Sequence, residues 1–111
     1  MNRMREEIEA AALGAAELNA ESGLRRYRFA EGFIGFAGHF TDYPILPAVL
    51  QVLLAQLVAE QVVGHPLQFL SLERAKFTQQ LRPADLITVQ VRRRQQQEQL
   101  SFACELQVAE Q

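Results

Sequence analysis

Two stretches of the chain carry apolar residues at the spacing of an α-helix. In residues 3–20 the apolar side chains recur every three or four positions, with glutamates between them. The apolar positions are Met4, Ile8, Ala12, Ala15 and Leu18. This pattern predicts an amphipathic N-terminal helix within residues 1–22, ended by Gly23. Residues 44–63 are apolar around most of the helical circumference, which predicts a central helix surrounded by protein, with Pro47 near its first turn.

Shorter stretches predict β-strands, because they alternate apolar and polar residues or are rich in β-branched and aromatic residues. These strands are residues 24–29, 67–77, 85–94 and 99–108, so that antiparallel strands fill most of residues 67–109. Turns are predicted at residues 82–85 and in the polar run 95–98. A helix followed by an antiparallel meander predicts one α+β domain over residues 1–111, with the sheet wrapped around the central helix.

The loop that joins the first strand to the central helix is rich in glycine and aromatic residues. It covers residues 32–43, and we expect its aromatic side chains to pack beneath it. They are Phe33, Phe36 and Phe40.

Composition narrows the class of protein. The chain is 49% hydrophobic and 22% charged, as folded proteins are, and its net charge of −2 argues against bulk electrostatic binding to nucleic acid. All Lys and Arg residues except Arg3 and Arg5 lie beyond residue 24. Solvated strand faces are the common reason for such a distribution, and a docking patch for an acidic partner is the alternative. The apolar segment 44–63 contains Gln51 and Glu60, and is too polar for a membrane span.

The single cysteine bears on the cellular compartment. Cys104 has no partner for an intrachain disulfide, and the first residues lack the apolar core of a signal peptide, so we expect the cytoplasm. Cys104 alternates in phase with Leu100, Phe102 and Leu106, which predicts a core residue and not a nucleophile.

One segment carries the pattern of an active site. It reads Gly38-His39-Phe40-Thr41-Asp42-Tyr43-Pro44-Ile45-Leu46-Pro47-Ala48-Val49. This resembles the signature G-H-F-P-G-x-P-[IVL]-[ML]-P-G-V of the β-hydroxyacyl-[acyl-carrier-protein] dehydratases. Arg74-Ala75-Lys76-Phe77 followed by Leu81-Arg82-Pro83-Ala84-Asp85 resembles that family's strand and its V-x-P-G-D turn. The resemblance implies a hotdog fold, in which an antiparallel sheet wraps a helix.

The resemblance also implies roles for individual residues. Elimination of water β to a thioester needs a base, an acid and a donor to the carbonyl oxygen. His39 would be the base and the backbone N–H of Ala48 the carbonyl-polarising donor, although a histidine in such a loop, taken without the family, is more often structural. The predicted substrate-binding residues are Phe40, Pro47, Val49, Leu53 and Gln56.

The family's acid is missing from its usual place. Leu53 stands where the family has a Glu or Asp on the central helix, and Leu57 stands where it has glutamine. Asp42 is the nearest substitute in sequence, with an ordinary turn residue as its alternative role. Gln56 can orient a water or a hydroxyl, whereas Glu60 is an acid that lies too far along the helix. In this family the histidine and the acid come from opposite subunits, so a second subunit is another possible source.

Three functions therefore stay open. The first is a dehydratase acting on acyl-carrier-protein or coenzyme A thioesters, as a homodimer or dimer of dimers. The second is a non-catalytic hotdog subunit that binds acyl chains or forms a heterodimer with an active subunit, which Leu53 favours. The third is a hotdog thioesterase. No metal or redox cofactor is implied, because His39 and His65 are the only histidines and no Cys/His cluster exists.

Overall fold

The residues that the structure describes form a four-stranded antiparallel sheet with one long helix packed across it. A computed structural model describes residues 3–36, 44–69, 71–72, 79–94 and 99–109. The helices are α1 (Arg3–Ala11) and α2 (Ala48–Val63), with a short 3₁₀ turn at Ile34–Phe36. The strands are β1 (Glu17–Leu18), β2 (Ser22–Tyr27), β3 (Ile87–Arg94) and β4 (Ser101–Val108), paired in the order β1-β2-β3-β4.

The core lies between α2 and the inner face of the sheet. Strand β3 alternates, so that Ile87, Val89 and Val91 are buried while Gln90 and Arg92 are exposed. The side chains of α2 that meet this face include Leu54 and Val58, both fully buried. Burying a side chain of this size contributes about 1.5–3 kcal/mol. The sheet therefore fixes the rotation of α2, and with it the positions of the residues on the other faces of the helix.

The N-terminal helix is half as long as its pattern predicts. We expected a helix over residues 3–20, but α1 ends at Ala11 and residues 17–18 form β1. Backbone pairing with β2 replaces the helical bonds, since the Leu13 N–H donates to the Arg26 carbonyl (2.8 Å). Gly14 then turns the chain with a φ of +89°, which glycine adopts without strain. The prediction of a helix filling residues 1–22 was therefore wrong beyond Ala11.

The central helix begins four residues later than expected. Residues 44–47 are not helical, and Pro47 is the N-cap residue with φ −67° and ψ 155°. Proline disfavours the helical conformation in the residue before it, which keeps Leu46 out of the helix. Gly64 ends the helix in the left-handed conformation, which confirms the predicted end. The expectation that α2 is surrounded by protein fails at its start, because Val49 is 72% exposed.

Three of the four predicted strands are confirmed over most of their length. The strand expected at 24–29 lies at Ser22–Tyr27, and those expected at 85–94 and 99–108 begin two residues later than predicted. In the strand expected at 67–77, residues 67–69 and 71–72 are not β-structure, and 73–78 lie outside the described residues. The turn at 82–85 is present, whereas the one at 95–98 also lies outside them.

The predicted burial of the loop phenylalanines and the predicted burial of the cysteine have different outcomes. Phe33 and Phe36 are buried as expected, and Phe40 lies outside the described residues. Cys104 lies opposite the buried Val91 and so on the inner face of the sheet, but it is exposed. The prediction that Cys104 is a core residue was therefore wrong. The protein packed around its thiol nevertheless raises the pKa of Cys104 to about 11, which keeps the thiol protonated near neutral pH.

Candidate active site at the start of the central helix

The predicted site residues fall into two groups. His39, Phe40 and Asp42 lie outside the described residues, so their roles stay predictions. The others lie at the start or along one side of α2 and are described in full. They are Pro47, Ala48, Val49, Leu53 and Gln56.

The first turn of α2 presents backbone N–H groups at an accessible surface. The Pro47 carbonyl accepts hydrogen bonds from the N–H groups of Leu50 (3.0 Å) and Gln51 (3.1 Å). The N–H groups of Ala48 and Val49 precede these bonds, and no carbonyl of the helix itself can reach them. Both residues are exposed. The aligned peptides place partial positive charge here, so this end of α2 favours a developing negative charge.

A short extended segment aims this end of the helix. The Leu46 N–H donates to the Leu81 carbonyl (2.8 Å), and the Leu46 carbonyl accepts from Nε2 of Gln51 (3.1 Å). The turn after Leu81 is itself closed, because the Arg82 N–H donates to Oδ2 of Asp85 (2.9 Å). The two sequence motifs therefore meet in space: the turn of the second holds the approach to α2 in the first.

Aromatic packing supports the same region from beneath. The ring centroids of Phe29 and Phe33 lie 4.3 Å apart. Phe36 packs edge to face against Phe33, with 5.7 Å between the ring centroids. Gly35 sits between this cluster and α2, and a Cβ at that position would lie 2.6 Å from Cδ1 of Leu50. A Cβ there would lie closer still to Cε2 of Phe33, so any side chain would force the Phe33 ring and Leu50 to shift.

Leu53 gives this part of the helix no acid. Its side chain is half-buried and packs against the hydrophobic core, one turn after Val49. A leucine can neither donate nor accept a proton, so the helix position at which the family resemblance predicts an acid is apolar here.

Glu60, the carboxylate farther along α2, is held in an ion pair. Its Oε1 lies 2.9 Å from Nη1 of Arg5, and its Oε2 accepts from the Leu67 N–H at 3.0 Å. Burial by itself raises the pKa of Glu60, but hydrogen bonds from Arg5, Leu67 and Gln56 outweigh it and hold that pKa below its ordinary value. A carboxylate that binds its proton this weakly is a poor general acid near neutral pH.

Gln56 belongs to the same cluster. Its Nε2 donates to Oε2 of Glu60 (3.2 Å) and to the Leu67 carbonyl (3.0 Å). Both hydrogens of the amide thus have acceptors within the chain, and Gln56 and Glu60 together fasten the segment that follows the helix. A substrate would meet Gln56 through its remaining oxygen.

Sequence reasoning missed the structural importance of Gln51. It is a polar side chain, only 8% exposed, on a helix face that otherwise buries Leu54, Ala55 and Val58. A single amide among apolar residues at helical spacing is the signal that could have indicated it, since a buried amide needs a partner. The Arg5–Glu60 pair gave no such signal, because 55 positions separate the two residues.

Among the described residues, no three His, Cys, Asp or Glu side chains lie close enough together to hold a metal ion. Nor does any helix within those ranges have the length and apolar character needed to cross a membrane.

Known proteins resemble this chain in sequence. The 3-hydroxyacyl-[acyl-carrier-protein] dehydratase FabZ of Thermotoga petrophila is 44% identical over 63 residues, which covers 52% of this chain and 45% of that protein. The FabZ proteins of Chlamydia pneumoniae and Bacillus cereus are 36% identical over 64 residues and 35% over 63, covering 50% of this chain and 42% and 44% of theirs. The match therefore spans less than half the length of each of these relatives.

The fold has a solved counterpart, and a family model covers most of the chain. The dehydratase heterocomplex ApeI:P from Xenorhabdus doucetiae aligns with a TM-score of 0.67 at 24% identity, over 82% of each chain. At that identity the likeness concerns the fold, and it confirms the predicted hotdog architecture. The model of the ApeI-like dehydratases matches residues 16–111, from just before β1 to the last residue. The chain therefore belongs to the ApeI-like dehydratase family of hotdog proteins.

Proposed function

We propose that this chain is a β-hydroxyacyl-thioester dehydratase whose reaction takes place at the start of α2. One observation carries the proposal: Ala48 opens α2, so its N–H is the first of the helix, at an exposed surface shortly after the Gly38-His39-Phe40 motif. The family relationship supplies the reaction type, and the single-domain organisation over residues 1–111 is part of the same proposal.

The proposed reaction assigns one step to each group. His39 takes the proton from the carbon α to the thioester, and the electrons of that C–H bond move towards the carbonyl. The Ala48 N–H stabilises the negative charge on the carbonyl oxygen. The electrons then form the α–β double bond as the β-hydroxyl leaves. An acid protonates that hydroxyl, so the products are water and a trans-2-enoyl thioester.

The acid in this scheme is Asp42 or a carboxylate of a second subunit. Within the described part of α2, Leu53 is apolar and Glu60 is paired with Arg5, which supports a source outside the helix. A homodimer, a dimer of dimers or a heterodimer with another hotdog chain would each supply a second subunit, and the similar ApeI:P structure is a heterocomplex.

The substrate in this proposal is an acyl-carrier-protein or coenzyme A thioester. The FabZ relatives are named as acyl-carrier-protein dehydratases, which supports the first. Val49, exposed and apolar beside Ala48, would contact the acyl chain, with Phe40, Pro47, Leu53 and Gln56 as the other binding residues. Arg92 and Arg94 share the outer face of the sheet and are exposed, which suits an acidic carrier. We place the activity in the cytoplasm, without a cofactor.

The test is turnover of a β-hydroxyacyl thioester, followed by the absorbance of the enoyl product, with the His39→Ala variant beside wild type. We expect wild type to be active and the variant to lose about 10²–10⁴-fold, the usual contribution of a general base. A parallel assay for free thiol detects thioester hydrolysis. Equal turnover in both proteins, or thiol release without enoyl product, would contradict the proposal.

A second candidate is a non-catalytic subunit that pairs with an active hotdog chain. The half-buried Leu53 in place of an acid favours it. In that case wild type and His39→Ala are both folded and inactive alone. Adding the candidate partner subunit would then give turnover that survives His39→Ala.

A further inference from the structure

We propose that Gln51 is a positioning residue that holds the Ala48 N–H in its working direction. The inference rests on the proposed function, and it assigns a role to a side chain that does not itself reach the substrate. Two separate hydrogen bonds from Gln51 reach the two residues that immediately precede Ala48.

The first bond is made by the buried side chain. Gln51 is 8% exposed, and its Nε2 donates to the Leu46 carbonyl at 3.1 Å. Placing an amide in an apolar environment is unfavourable unless it is hydrogen-bonded, and an apolar residue of similar size would avoid this cost. What the Gln51 amide provides that an apolar residue would not is therefore the hydrogen bond to the Leu46 carbonyl.

The second bond is made by the backbone. The Gln51 N–H donates to the Pro47 carbonyl at 3.1 Å, and the Leu50 N–H donates to the same oxygen at 3.0 Å. Because a peptide unit is planar, the Pro47 carbonyl and the Ala48 N–H lie in one plane and point in opposite directions. Fixing that carbonyl therefore fixes the direction of the Ala48 N–H.

Together the bonds hold both peptide units around Pro47. The Gln51 side chain holds the Leu46–Pro47 unit, its backbone holds the Pro47–Ala48 unit, and the proline ring restricts the rotation between them. The Leu46 N–H is also bonded, to the Leu81 carbonyl at 2.8 Å. If the side-chain bond is lost, the Leu46 carbonyl loses its donor and the approach to the helix gains freedom.

Loss of the hydrogen bond between Gln51 and Leu46 should lower the rate of the reaction more than it weakens substrate binding. A donor acts on the transition state only when it lies at the right distance and angle from the developing oxyanion, and small displacements have large effects. We expect Gln51→Met, which keeps the length of the side chain but removes the donor, to lower kcat about tenfold while KM changes less than twofold.

The experiment compares this variant with Val58→Ala. Val58 is fully buried later on the same helix and has no bond to residues 46–48, so its variant controls for lost stability. Both variants and wild type are assayed for kcat and KM. Infrared difference spectra are then recorded with crotonyl-coenzyme A labelled with ¹³C at the carbonyl. The position of the labelled stretch reports how strongly the bound carbonyl is polarised.

The proposal is supported if kcat falls in Gln51→Met but not in Val58→Ala. In Gln51→Met the carbonyl stretch of bound crotonyl-coenzyme A should also move towards its value in water. Equal losses in both variants, a change in KM only, or an unchanged stretch would overturn the proposal. Gln51→Glu is the second variant should Gln51→Met not fold, because its carboxyl donates only when protonated, and the stretch should then depend on pH.

Failure of the proposed function looks different. Wild type would then show no turnover, but the carbonyl stretch of bound crotonyl-coenzyme A still tests Gln51 by comparison with Gln51→Met. A wild type that neither turns over nor polarises the carbonyl would overturn both proposals.

Discussion

The two ends of α2 differ in whether their polar groups have hydrogen-bond partners within the chain. At the first turn, the side chains of Ala48 and Val49 are exposed, and no side chain among the described residues caps the backbone N–H groups. Towards the other end, Glu60 is paired with Arg5, Gln56 binds Leu67, and Gly64 closes the last turn.

The two ends of α2 therefore have different roles: the first turn can bind a ligand, and the last turns anchor the helix in the fold. Uncapped N–H groups at an accessible surface are ready to meet a ligand, and they do not need the helix to be rebuilt on binding. Satisfied side chains at the far end anchor the same helix to α1 and to the segment after it. A rigid anchor at one end makes the direction of the N–H groups at the other reproducible.

Among changes at the two ends of α2, the largest expected effect comes from removing the Ala48 N–H. Proline is tolerated at the first position of a helix, and the preceding Pro47, with ψ 155°, already has the conformation that a following proline requires. We therefore expect Ala48→Pro to fold and to lose about 10²–10³-fold in kcat, the usual effect of losing one oxyanion donor. Steady-state kinetics and thermal unfolding measure the two quantities.

Ala48→Gly is the matched control for this variant. Glycine keeps the N–H and removes only a methyl group from an exposed residue, so its loss of turnover should be far smaller than that of Ala48→Pro. Similar losses in the two variants would show that the N–H of Ala48 is not the donor.

The next effect concerns the structural end and is seen in stability. In Glu60→Gln the charge that pairs with Arg5 is removed from a side chain that is only 12% exposed. Arg5 is 39% exposed and solvent screens the pair, so we expect the free energy of unfolding to fall by about 1–2 kcal/mol. Chemical denaturation measures it. Glu7→Gln, which breaks the exposed Arg3–Glu7 pair on α1, should change it by less than about 0.5 kcal/mol.

The smallest effect is the pH dependence of that same difference. Because its hydrogen bonds hold the pKa of Glu60 below its ordinary value of 4.5, the carboxylate stabilises the fold above that value. This stability is lost as the pH falls through the lowered pKa of the folded state. The gap between wild type and Glu60→Gln should therefore shrink as the pH falls below about 4.5 and through the lowered pKa of the folded state. A gap that stays constant or widens would contradict the lowered pKa.

The elements with strong patterns were predictable, and those decided by pairing across the chain were not. The alternation in β3 and the apolar run of α2 gave these two elements close to their true bounds. The pattern of residues 3–20 was equally helical, yet Leu13 bonds to Arg26 and the helix ends at Ala11. Periodicity describes one segment alone, so it does not reveal that the edge of β2 offers the backbone a competing partner.

For the candidate site, the sequence by itself determined the family, the order of the motifs and the absence of an acid at Leu53. These follow from residue types at fixed spacing along one chain. Only the tertiary structure decided that Gln51 holds Leu46, that Leu81 meets the approach to α2, and that Glu60 is committed to Arg5. Each of these depends on how side chains and backbone groups orient within the packed fold, and spacing along the sequence carries no information about that.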